Sequence, residues 1–179
     1  KLNLKNFYNH SKIIYIDKIK SIHIRRGHII MNVEVINPFI QGTKQVLSTV
    51  CNLDSKMGKV SIKNKPFENK LNITIGIIGD VKGKVNYAFD LSVALFIASK
   101  MMFKEITILD DISKSAISEL TNMISGNIAT IFSNSGKVID ITPPKLEESY
   151  DNCDIAKFIS IPLEIGSGQI FEINVWIEE

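Results

Sequence analysis

Histidine is absent from every position after His28. His10, His23 and His28 all precede Met31, so the body of the chain holds no Ser–His–Asp triad, no Cys–His nucleophile and no His-ligated zinc. Cysteine is scarce too. Cys51 and Cys153 stand far apart and read as reduced, partly buried thiols of a cytoplasmic protein. Long apolar runs are also missing: the longest, Ser92 to Phe103, is broken by Ser99 and Lys100 and is too short to span a bilayer. No signal-peptide pattern with a small-residue cleavage site follows Lys1. These absences predict a cytoplasmic location with no membrane partner. Catalysis, if present, must rest on carboxylates, amides, hydroxyls or lysines.

The charge is unevenly placed. Residues 1–30 carry seven Lys or Arg against one acid, Asp17, whereas the whole chain balances to +2. The remainder is therefore mildly acidic and has no basic cluster, so no nucleic-acid partner is expected of it. The first thirty residues are rich in Lys, Ile and Asn without an amphipathic period. They read as a basic leader, either disordered or translated upstream sequence, with Arg25-Arg26-Gly27 matching a purine-rich ribosome-binding stretch and Met31 as the true start. The competing reading is a real basic arm that binds nucleic acid or a membrane surface. Residues 31–179 form the expected domain.

Within that domain, Val33, Ile36, Ile40, Leu47 and Val50, with Val46 beside them, fall near helical spacing, and Pro38 lies in the first turns, where it is best tolerated. Residues 52–58 read as a loop. Strands are expected at 59–63, 71–78 and 84–89, with Asp80-Val-Lys-Gly83 as a hairpin turn. A second helix follows at 91–103, capped by Asp90, and a third runs from Asp110 or Asp111 to about Ser133. Asn134-Ser135-Gly136 is its stop. Three more strands are expected at 137–141, 155–165 and 169–177, the last two joined through Gly166-Ser167-Gly168. The class is α+β: two helix-plus-three-strand units, a mostly antiparallel sheet and long helices packed on it.

The third helix is the most informative segment. At about 100° per residue, Ile117, Leu120, Ile124, Ile128 and Ile131 cluster within about 40° of a common direction and form a buried stripe. Opposite them Ser115, Glu119, Asn122 and Gly126 share an equally narrow ridge. Glycine costs on the order of 1 kcal/mol relative to alanine inside a helix, and its missing side chain would let a partner approach closely. Polar residues opposite an apolar stripe are also what any surface helix shows, and Ser115 would serve equally as a capping residue.

Ser115-x3-Glu119-x2-Asn122, followed 21 residues later by Pro144, resembles the active-site motif of the CheC/CheX/FliY chemotaxis phosphatases. The likeness is greatest to CheX. It extends to Asn37-Pro38-Phe39, to Gly79-Asp-Val-Lys-Gly83 and to the whole run from Ser115 to Asn127. The resemblance implies hydrolysis of the aspartyl phosphate on a phosphorylated CheY-like receiver. It implies catalytic roles for Glu119 and Asn122, with Ser115, Gly126 and Pro144 in support. Asn122 would orient the attacking water and Glu119 would pair with a receiver lysine. It further implies a homodimer, no cofactor or metal of the protein's own, and Mg²⁺ held by the receiver. A second Glu-x2-Asn at Glu34 and Asn37 lacks the flanking residues, with Ile30 before it and Lys59 in the proline position, and reads as a structural helix start. The alternative function is a non-catalytic adaptor that binds a receiver or a flagellar-motor component.

Overall fold

In a strand whose one face packs on helices, every second side chain must be apolar. Ile73, Ile75 and Ile77 obey this in the longest run of the first half, and all three are buried. The computed structural model describes residues 13–14, 33–63, 71–147, 157–166 and 168–178. The expectations for the leader, for Met31, for Cys153 and for residues 155–156 lie outside these, apart from Ile13–Ile14.

The elements are β1 (Ile13–Ile14), α1 (Val33–Cys51), β2 (Ser55–Met57), β3 (Val60–Lys63), β4 (Leu71–Gly79), β5 (Gly83–Phe89), α2 (Leu91–Met102), α3 (Asp111–Asn134), β6 (Ile139–Ile141), β7 (Lys145–Glu147), β8 (Phe158–Ile165) and β9 (Gln169–Ile177). Every ladder is antiparallel. The strands form one sheet in the order β1-β3-β8-β9-β5-β4-β6, with β2 on β8 and β7 on β4. The expected α+β class and paired units hold.

The units are interlocked. β4–β5 and β8–β9 are hairpins that meet through β5 and β9, where Asn86 stands opposite Asn174. The first strand of each unit then crosses over: β3 pairs with β8, and β6 and β7 pair with β4. Neither unit can complete its sheet without the other. Helices α1, α2 and α3 share one core with the inner faces of β4, β5, β8 and β9, and Phe89 stacks on Phe171 at 5.1 Å within it.

Helix α1 meets α3 side by side. Phe39 contacts Phe132 edge-on at 5.8 Å, a Cβ added at Gly42 would stand 2.6 Å from Ile128 Cγ1, and Asn127 Nδ2 donates to Gln45 Oε1 at 2.9 Å. Partner numbers fall on α3 as they rise on α1, so the helices run in opposite directions where they touch.

Candidate active site on helix α3

Two short-range devices fix where α3 begins. Asp110 is its N-cap: Oδ1 accepts from the Ser113 backbone N–H at 2.8 Å, and the Ser113 hydroxyl donates to the same carboxylate at 2.7 Å. These hydrogen bonds, the backbone one first, hold the Asp110 carboxyl below the ordinary aspartate value. At the far end the Ser135 N–H reaches the carbonyls of Ile131 and Phe132, and Gly136 takes a left-handed φ of 80°.

Burial then sets the helix's rotation. Ile117, Leu120, Ile124, Ile128 and Phe132 are each at most 2% exposed. Each such side chain contributes about 1.5–3 kcal/mol relative to an exposed one, so a turned helix would forfeit several of these terms together. The expected stripe is corrected in one position: Ile131 is only half-buried, and Phe132 takes the core place instead. Thr121 and Ser125 are also buried, which moves the centre of the inner face toward them. Their hydroxyls are satisfied locally, Thr121 by the Ser118 carbonyl at 2.8 Å and Ser125 by the Tyr87 hydroxyl at 3.3 Å. Burial pushes the Tyr87 hydroxyl well above the usual tyrosine range, so that bond is between neutral groups.

The opposite face carries the residues singled out in the sequence. Ser115 and Glu119 are exposed, and Asn122 and Gly126 are half-buried. No heavy atom lies within 4 Å of where a Cβ would sit on Gly126. None of the Ser115, Glu119 and Asn122 side chains has a hydrogen-bond or ion-pair partner among the described residues. Glu119 and Asn122, three residues apart on a helix, are surface neighbours with Cβ atoms roughly 5–6 Å apart. A carboxylate and a carboxamide therefore stand together, open to whatever docks. Two apolar residues also lie on this side of the helix: Ile112 is 65% and Met123 40% exposed.

Pro144 is half-buried in the β6–β7 connection. That connection is pinned to the sheet by Thr142, whose N–H donates to the Gly76 carbonyl at 3.0 Å and whose hydroxyl accepts from the Gly76 N–H at 2.8 Å. Strand β6 packs against α3. Glu34 and Asn37 are exposed on α1, with Pro38 buried beside them. Gln41 occupies the place, seven residues past the glutamate, that Gly126 holds on α3, so a long side chain stands where the α3 ridge is bare. Among the described residues no cluster of His, Cys, Asp or Glu is arranged to hold a metal ion.

Known proteins share the family signature and the fold of this chain. Residues 71–156, which include α3 and Pro144, match the family model of the chemotaxis phosphatase CheX. The chain is 30% identical over 153 residues to the CheY-P phosphatase CheX of Thermotoga maritima, covering 83% of this chain and 98% of that protein. Among solved structures, it resembles the CheX of the CheX–CheY–BeF3–Mg²⁺ complex from Borrelia burgdorferi, with a TM-score of 0.66 and 30% identity over 81% of this chain and 98% of that one. A CheC-like superfamily protein from Shewanella sp. PV-4 superposes with a TM-score of 0.72 at 26% identity, over 83% of this chain and all of its own. A matching family model, a shared fold and near full-length similarity lead to one assignment: this chain belongs to the CheX family of chemotaxis phosphatases.

Proposed function

We propose that this protein hydrolyses the aspartyl phosphate of a CheY-like receiver, with Asn122 and Glu119 as its catalytic residues. The observation that carries the reading is the pair itself: adjacent, outward and without side-chain partners among the described residues, on a helix whose opposite face is locked in the core. An acyl phosphate already has a good leaving group, so what remains is to place a water in line with phosphorus. A carboxamide suits this because it can accept from the water and donate to a phosphoryl oxygen without any protonation change. Water attacks phosphorus, the P–O bond to the aspartyl carboxylate breaks, and inorganic phosphate and the free carboxylate leave. Glu119 supplies the one formal charge among the ridge residues and fixes the approach by pairing with a receiver lysine. Gly126 leaves the helix bare for close contact, with Ser115 on the same ridge and Pro144 in the β6–β7 connection as supporting positions.

The chain needs no metal for this chemistry. The receiver brings the Mg²⁺, in keeping with the ion that accompanies CheX and CheY in the related complex. The working form is a cytoplasmic homodimer, with residues 31–179 as the phosphatase domain and 1–30 as a basic leader.

The test is the decay of a phosphorylated CheY-like receiver with the wild-type protein and with Asn122→Ala, measured beside binding. Loss of a preorganised polar group of this kind lowers rates by about 10²–10³-fold, and the variant should still bind. Wild-type binding with unaltered decay would make the protein an adaptor and end the enzymatic reading.

A further inference from the structure

The catalytic ridge is not wholly polar. Taking Glu119 as reference, Ile112 and Met123 point within about 40° of it at 100° per residue, on the same side as Ser115, Asn122 and Gly126. Both are well exposed, at 65% and 40%. Ile112 is seven residues from Glu119 and Met123 four, so at 1.5 Å per residue they stand roughly 10 Å and 6 Å along the axis on either side of it. A partner footprint of about 800 Å² has a radius of roughly 16 Å, so a protein seated over Glu119 and Asn122 must cover both.

We infer that Ile112 and Met123 are the apolar anchors by which the phosphorylated receiver docks on α3, flanking the catalytic pair. This rests on the proposed function for the identity of the occupant. The structure favours apolar anchoring over electrostatic capture because Ile112, Ser115, Glu119, Asn122, Met123 and Gly126 carry one formal charge between them. An interface of this composition gains affinity from desolvating a few large side chains at its centre. Methionine suits such a place, because its unbranched side chain adapts to a partner's contour. The receiver is then expected to present an apolar shoulder beside its acyl phosphate.

The experiment is a titration of a CheY-like receiver loaded with BeF3⁻ and Mg²⁺ against wild type, Ile112→Ser, Met123→Ser, the conservative Met123→Leu, and Ile170→Ser. Ile170 is 47% exposed and lies on β9 in the register that alternates with the core-facing Phe171 and Ile173, so it is an equally apolar control on the far face of the sheet. Affinity should fall about tenfold in each of the first two variants, stay close to wild type in Met123→Leu and be unchanged in Ile170→Ser. Thermal midpoints should match wild type in all, since none of these side chains is in the core. Wild-type affinity in Ile112→Ser and Met123→Ser would overturn the inference, even with receiver dephosphorylation intact. Weakened binding by those two variants, with no effect of the wild type on phosphoreceiver decay, would uphold the docking surface and overturn the enzymatic reading. No binding by the wild type would end both.

Discussion

The Asn127 side chain of α3 donates to the carbonyl of Gly42 on α1 at 3.2 Å, beside the point where Ile128 closes on that glycine. The contact ties α3 to the helix of the other unit. A methyl group at Gly42 would stand 2.6 Å from Ile128 Cγ1 and 3.3 Å from the Ile128 backbone nitrogen. Neither atom is the free end of a flexible side chain, so the helices must move apart. Gly42→Ala gains about 1 kcal/mol of helix propensity, and overpacking typically costs about 1–3 kcal/mol, so a net loss of stability is expected. Urea unfolding checks this. A raised midpoint would mean that the helices separate freely.

Gly126 presents the opposite case. The space beyond it is open, so Gly126→Ala should stabilise the fold by about 0.5–1 kcal/mol. The same methyl would stand on the ridge proposed to meet the receiver. The expected outcome is a higher thermal midpoint with slower receiver dephosphorylation, read from one preparation. Full activity would show that the docked receiver leaves room for a side chain at this position.

Asp110 links the stability of α3 to pH. Its carboxyl is held below the ordinary value of 3.8 by the hydrogen bonds from Ser113, so the folded state favours the ionised form. The stabilisation is complete above the unfolded aspartate value and is lost as pH falls through the lower folded one. Asp110→Asn keeps a capping oxygen but cannot titrate. The stability difference between wild type and this variant should be constant from neutral pH to about 5 and shrink at more acid pH. A difference that grows on acidification would refute the assignment.

Cys51 should be chemically quiet. Burial raises its thiol to about 11, against a smaller opposing effect of Lys100, and its Sγ lies 3.8 Å from Met101 Sδ. Thiolate is the reactive form, so peptide-resolved alkylation at pH 8 should label Cys51 far more slowly in the native protein than after unfolding. Equal labelling would show that the α1–α2 contact opens readily.

Much of the architecture and the candidate site was legible in the amino-acid order, because their signals are local. Helical period alone put Ser115, Glu119, Asn122 and Gly126 on one ridge, Asp110 marked its start, and turn residues marked both long hairpins. The short strands β2 and β7 were not legible: three residues give too little alternation to register, and each exists because β8 or β4 offers it an unpaired edge. Ile131 and Phe132 were exchanged for a related reason. An apolar stripe drawn from side-chain type alone overlooks Thr121 and Ser125, whose hydroxyls enter the core once a carbonyl or Tyr87 satisfies them.

What the sequence determined by itself is the pairing of a carboxylate and an amide on one helix face and the units from which the sheet is built. Only the tertiary structure decided that β3 and β6 would cross to the opposite unit, that Gly42 would seat Ile128, and that Ile112 and Met123 would remain exposed beside Glu119 and Asn122. Spacing along a helix follows from bonds between residues four apart. Burial depends on partners brought together from distant parts of the chain, and no local pattern encodes which partner arrives.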